Sequence, residues 1–288
     1  MLNQKTKAQK AFNIFNIAAL TLGCIIFVVP YIIVISSSFS DEIALISNGY
    51  SLIPKKFSLY AYKFLFSKNL PIVQSIGNTL FVVIISTILT TLTCMLYGYA
   101  LQHPALKLRK FFNLFIVFTM LFSGGLIPTY LVVTRFFEDS LWSLIIPSMM
   151  AAYYVFLLRN YFLSLPFSLA EAAELDGAGH FTVLFRIYMP LSVPVIVTVA
   201  MYMVVLQWNN YVGPMLYIES VDKYPLQLTL QKLLDNVENM VSAGNNEIIP
   251  TESLKMAAIV ISTVPVLCVY PLVQRFFING MMIGGVKE

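Results

Sequence analysis

Ser168-Leu169-Ala170-Glu171-Ala172-Ala173-Glu174-Leu175-Asp176-Gly177-Ala178-Gly179 is a short acidic stretch built on helix-forming alanines and closed by glycine. It stands in a chain of 288 residues that is 58% hydrophobic and only 11% charged, with a mean hydropathy of +0.79. Average soluble domains carry about one-quarter charged residues, so the surroundings read as integral membrane protein. Three carboxylates within a few residues cannot sit in lipid. The stretch therefore belongs at an aqueous face, where it meets something.

Outward from it, the length is mostly consumed by apolar runs near the roughly 20 residues that cross a bilayer. About six such runs occur, at residues 12–36, 76–101, 111–134, 141–162, 191–212 and 254–277. Their continuity predicts helices, since barrel strands would alternate. The first follows Lys5, Lys7 and Lys10 but is too long for a signal peptide's apolar core and has no small-residue cleavage site, so it stays as a helix. The expected architecture is an all-α, polytopic membrane protein, one transmembrane domain over residues 1–288. Breakers at Pro30, Gly98, Gly124-Gly125, Pro128, Pro147, Pro194 and Pro265 free backbone groups that neighbouring helices or water must satisfy.

Short-loop cations set the orientation. Lys107, Arg109, Lys110, Arg159 and Arg186 fall on the same side as the amino-terminal lysines, Arg275 and Lys287, which places both termini and the acidic stretch in the cytoplasm. Two long connections, residues 39–74 and 217–253, lie outside. The second is rich in carboxylates, whereas Lys55, Lys56, Lys63 and Lys68 make the first a mild exception, tolerated because cations far from a helix end count for less. The second connection also holds an amphipathic segment, Leu226-Gln-Leu-Thr-Leu-Gln-Lys-Leu-Leu234, and then the polar Ser242-Ala-Gly-Asn-Asn-Glu247, a short helix followed by a flexible tip.

Several function classes fall away. No run carries Asp, Glu, Lys or Arg deep in its middle, which argues against a proton-coupled pump or a channel with charged rings. A phosphate-gripping loop is missing, as are a nucleophile elbow and a His-Glu-x-x-His zinc motif, so neither catalytic residues nor a cofactor are expected in this chain. Cys24, Cys94 and Cys268 fall in separate runs without metal-ligand spacing, and no metal site is expected. The net charge of +4 gives nucleic acid no footprint.

The acidic stretch has an internal logic. Pro166 ends the approach, Ser168 is a good N-cap, and Glu171 three positions later completes a Ser-x-x-Glu capping box. The helix spans about 10 Å before Gly177 and Gly179 let the chain turn into a second short helix, from Phe181 to Pro190. Ala172 and Ala173 offer a small-residue surface to a partner, and Glu171, Glu174 and Asp176 offer charge to its basic residues. An anionic leaflet would repel these carboxylates.

Glu171-Ala172-Ala173, Asp176-Gly177-Ala178, Ile187 and Met189-Pro190 resemble the EAA loop of permease subunits of binding-protein-dependent ABC importers, with Met189 in place of the usual leucine. Phe122-Ser-Gly-Gly-Leu-Ile-Pro-Thr-Tyr-Leu131, Tyr224-Pro-Leu-Gln-Leu228, Glu252-Ser-Leu-Lys-Met-Ala-Ala258 and Gly280-Met-Met-Ile-Gly-Gly-Val-Lys287 are similar to the smaller permease of its oligo- and polysaccharide branch. The resemblance implies a type I importer fold in the inner membrane. It further implies a second permease, two ATP-binding subunits carrying ATP and Mg, an external solute-binding protein, and an oligosaccharide substrate. Ser168, Glu171, Ala172, Ala173, Glu174, Asp176, Gly177 and Ala178, within the segment 166–190, would then dock in an ATPase subunit. Ser242, Gly244, Asn245 and Asn246 would meet the binding protein.

For the sugar path, Trp208, Asn209, Asn210 and Tyr211 combine an aromatic face with amide donors, with Asn78, Thr79 and Tyr130 as further candidates. The same residues also suit an aromatic belt beside a capping amide, because Trp208 lies about 27 Å along the helix from Pro190. Two other functions fit the residues: a permease for peptide or another polar solute, and a membrane scaffold that recruits a cytoplasmic partner without transport.

Overall fold

A computed structural model describes residues 7–67, 71–242 and 251–284. In chain order its helices are α1 (Lys7–Ser38), α2 (Glu42–Asn48), α3 (Tyr60–Leu65), α4 (Ile72–Gln102), α5 (Arg109–Leu121), α6 (Leu126–Phe136), α7 (Trp142–Ser148), α8 (Ala152–Ser164), α9 (Ser168–Leu175), α10 (His180–Leu191), α11 (Val193–Trp208), α12 (Val212–Tyr217), α13 (Leu226–Ser242) and α14 (Thr251–Gly284). The all-α expectation holds. Among the described residues three helices are long and apolar enough to cross a membrane by themselves, within Gln9–Ser38, Ile72–Gln102 and Thr251–Val269.

The other three expected spans are bent pairs. α5 and α6 meet at 108°, α7 and α8 at 42°, and α10 and α11 at 83°. The 111–134 run breaks at its glycine pair, where Gly125 takes a φ of +88°, a left-handed conformation open to glycine at no steric cost. At the α7–α8 break the freed carbonyls find side-chain donors. Thr90 donates to the Ser148 carbonyl at 2.8 Å, Thr93 donates to that of Met149, and the Gln207 amide donates to the Leu144 carbonyl at 3.2 Å and the Ser148 hydroxyl at 3.0 Å. This is the compensation that a helix break at membrane depth requires.

The residues separate into two compact units. One contains α1 to α3 with residues 232–264. Its first long connection is structured: Phe39 stacks on Phe57 and Tyr62, Asp41 accepts from the Ala44 amide at the start of α2, and Lys56 pairs with Asp41 at 3.1 Å. Glu42, buried on α2, caps α14. Its carboxylate accepts from the amides of Glu252 and Ser253 at 2.8 and 2.9 Å and from the Ser253 hydroxyl at 2.6 Å.

The second unit holds residues 71–231 and 265–288. Its core is built by α4, α8, α10 and α11 around Cys94, Met95, Val155, Leu158, Phe162, Leu184, Tyr188, Val199 and Met203. Lipid is as apolar as these side chains, so close packing, rather than water exclusion, must hold such helices together. Gly98 permits it. A Cβ there would stand 3.1 Å from the Arg159 backbone nitrogen and 3.3 Å from the Leu158 Cβ. Within α10 the segment Leu184–Tyr188 is wound as a π-helix rather than an α-helix.

Candidate functional site

The acidic stretch folds as α9, and its two ends are made differently from each other. At the start, Phe167 is already helical (φ −63°, ψ −26°) and no side chain caps the helix. The amides of Leu169 and Ala170 donate to the carbonyls of Pro166 and Phe167 at 3.2 and 2.9 Å. Ser168 is therefore the first helical residue and not the N-cap, and the Ser168–Glu171 capping box does not form. The physical reason is Pro166, whose fixed φ begins the turn early and leaves Ser168 in helical rather than extended geometry.

At the other end the glycine stop is built as expected. Gly177 has a φ of +86°, its amide donates to the Glu174 carbonyl at 3.0 Å, and the Ala178 amide donates back to Ala173 at 2.9 Å. Those two bonds are the Schellman closure of a helix terminus. The rod between them spans about 12 Å.

One face of α9 is anchored. Ala170 is fully buried, and Ala173 and Ala178 pack against the core of the second unit. The expectation that Ala172 and Ala173 together form a docking surface is corrected: only Ala172 is exposed, because residues three apart from Ala170 return to the buried side. The open face consists of Leu169, Glu171, Ala172, Leu175 and Asp176. Leu175 is 89% exposed on this face, a residue that the sequence alone did not single out. Its signal was present, since a bulky apolar residue beside a glycine stop on an otherwise polar helix has no internal role. Glu174 turns back toward His103 at the end of α4.

The candidate path residues fall in several environments. Trp208 is buried, at 4% exposure. Asn210 accepts from the Gly213 amide at 3.1 Å, and Asn209 donates to the Val205 carbonyl at 2.8 Å, so both amides serve the turn between α11 and α12. Tyr211 is exposed. Asn78 donates to the carbonyls of Asp222 and Tyr224 at 2.8 and 3.2 Å, and buried Thr79 accepts from the Leu226 amide at 2.7 Å while donating to Ser75 at 2.8 Å. These two clamp the segment that leads into α13.

Tyr130 lies elsewhere. It stacks nearly parallel on Tyr217, with centroids 6.0 Å apart, at an open cavity of about 500 Å³ that Arg135, Glu138 and Glu219 also line. Beside it Asp139, at a φ of +42°, accepts from the amides of Glu219 and Ser220 at 2.9 and 3.0 Å and from Lys223 at 2.7 Å. The Lys223 ammonium, followed by the Ser220 hydroxyl, holds the Asp139 carboxyl well below the usual carboxylate range. Ser242 closes α13, whereas Gly244, Asn245 and Asn246 lie outside the described residues.

The sequence profile described as "Binding-protein-dependent transport system inner membrane component" matches residues 75–283, which include α9 and both of its ends. The chain belongs to this family. A permease of this family in Bacillus subtilis (strain 168), the "Polygalacturonan/rhamnogalacturonan transport system permease protein YtcP", is 36% identical over 96% of this chain and 99% of that protein. The "Arabinooligosaccharides transport system permease protein AraQ" of Halalkalibacterium halodurans is 29% identical over 93% of this chain and 95% of that one. Among solved structures, a bacterial ABC transporter involved in the import of the acidic polysaccharide alginate contains a chain that superposes with a TM-score of 0.83. That chain is 29% identical, and the match covers 95% of this chain and 99% of that one. The permease is thus an inner-membrane component of a binding-protein-dependent transport system.

Proposed function

We propose that this permease imports carbohydrate, of the oligosaccharide or polysaccharide-fragment class, as one half of a membrane pathway completed by a second permease. Two ATP-binding subunits carrying ATP and Mg supply the energy, and an external solute-binding protein delivers the sugar. Both termini and α9 face the cytoplasm. The observation that carries the reading is α9 itself: a short rod anchored on one face, closed by a Schellman turn, and open on the other through Leu175 and Glu171. Such a rod suits the task of docking in an ATPase subunit and passing its movement to the helices behind. The sugar class rests on the relatives, whose names specify polygalacturonan, rhamnogalacturonan, arabinooligosaccharides and alginate.

The test is uptake by the complete transporter reconstituted in liposomes with its binding protein. Oligogalacturonides or neutral oligosaccharides should be imported with ATP consumption, and short peptides should not. Peptide import without sugar import would replace the carbohydrate reading, and absence of ATP-dependent uptake of either would favour a scaffold.

A further inference from the structure

The chain has two histidines, and both meet at one carboxylate of α9. His103 Nε2 and His180 Nδ1 each stand 3.5 Å from Glu174 Oε1. The two imidazoles lie edge to face, 4.9 Å between centroids. One nitrogen from each ring and one carboxylate oxygen all fall within 4.8 Å of one another.

The fold explains the meeting. His103 follows the last residue of α4 and is held by ring contacts with Tyr99 and Phe167, so its side chain is only 15% exposed. Glu174 sits in the last turn of α9. The Gly177 turn then reverses the chain so that His180, the first residue of α10, returns over it. The cluster borders a mostly apolar cavity of about 350 Å³ between the end of α4 and the start of α10.

Two imidazoles and a carboxylate are the donor set of a three-ligand zinc site with one open position. With metal–ligand bonds of about 2.0–2.1 Å, tetrahedral donors stand about 3.4 Å apart. Both nitrogen–oxygen spacings already match, and the exposed ring of His180 is free to close the third. Among the described residues no lysine or arginine pairs with Glu174, so the set carries a negative charge that a dication would balance. Three converging donors from three places in the chain also distinguish the arrangement from an ordinary surface ion pair.

We propose that His103, Glu174 and His180 bind a transition-metal dication of the zinc type, clipping the end of α9 to the end of α4 and the start of α10. The Ala105 amide donates to His103 Nδ1 at 3.2 Å, which makes Nδ1 the acceptor and leaves the ring proton on Nε2, facing Glu174. Metal binding moves that proton to Nδ1, so the ring stays neutral. The displaced Ala105 amide lies at an exposed position, where water takes its bond.

The test uses the complete transporter, purified without a polyhistidine tag and stripped with a chelator. Cobalt(II) serves as the spectroscopic probe and zinc as competitor. The wild type should bind one more cobalt per copy of this chain than the His103→Gln, His180→Gln double variant, with visible absorption bands that zinc abolishes. Each single variant should bind at least about tenfold more weakly, since even outer-shell changes cost about 10–100-fold. Equal uptake of cobalt by wild type and double variant, with the same spectrum, would overturn the site. The consequence for transport rests on the coupling role proposed for α9, and a separate measurement decides it. Zinc should slow sugar uptake by the wild type relative to its own chelated rate and leave the double variant at its own. Zinc bound with uptake unaltered would count against the coupling role and not against the metal site.

Discussion

Gly177 is the residue on which the direction of the chain after α9 depends. A Cβ placed there would meet nothing within 4 Å, so the whole requirement for glycine is its φ of +86°. That separates conformational cost from crowding. Gly177→Val should destabilise the turn by about 1–2 kcal/mol and uncouple ATP hydrolysis from uptake in reconstituted liposomes. Gly177→Asn should keep most uptake, because asparagine tolerates the left-handed region and serves as a helix-ending residue. Equal loss in both variants would show that the glycine is required for close approach to a partner rather than for the turn. The stop was legible in the sequence because a helix end is encoded within a few residues. The start was not, because Ser168 and Pro166 both signal a beginning and proline, two residues earlier, takes precedence. The His103–Glu174–His180 cluster was hidden for a different reason: His103 and Glu174 are 71 positions apart, and only the fold brings the end of α4 to the last turn of α9.

Among the elements, α14 starts on a carboxylate from far away in the chain. Glu42 satisfies two of the amides that any helix leaves open at its beginning. Glu42→Ala should therefore cost about 1–2 kcal/mol, as loss of a helix cap does, and speed hydrogen exchange at the amides of Glu252 and Ser253 while leaving α4 and α8 unaltered. Unchanged exchange at those amides would mean that other groups replace the cap. Apolar run length located the membrane helices well, and the breakers marked where three of them bend. The angles could not be read, since they depend on where the freed carbonyls find donors. Gln207 is buried and aimed at the α7–α8 break, and nothing near it along the chain indicates which carbonyl it serves. The amides of Asn209 and Asn210 suited either a sugar or a local capping role, and the hydrogen bonds they make are to nearby backbone groups.

For the whole molecule, the cation distribution predicts a topology that can be measured directly. In a background with Cys24, Cys94 and Cys268 replaced, Glu171→Cys should resist an impermeant thiol reagent in intact cells and react in inverted vesicles, and Glu247→Cys should do the reverse. Labelling of Glu171→Cys from outside would invert the assignment and remove α9 from the ATPase side. If the orientation stands and α9 docks in an ATPase subunit as proposed, one covalent route for its movement toward α11 runs through α10, and α10 is not uniform. Its π-wound turn at Leu184–Tyr188 holds more residues per revolution than the α-turns on either side. Each residue of an α-helix advances the azimuth by about 100°, so tightening that single turn would re-phase one half of α10 against the other without breaking the rod. On the proposed coupling role, that turn would give the connection between α9 and the membrane torsional slack, so that a push at one end would emerge at the other as a twist.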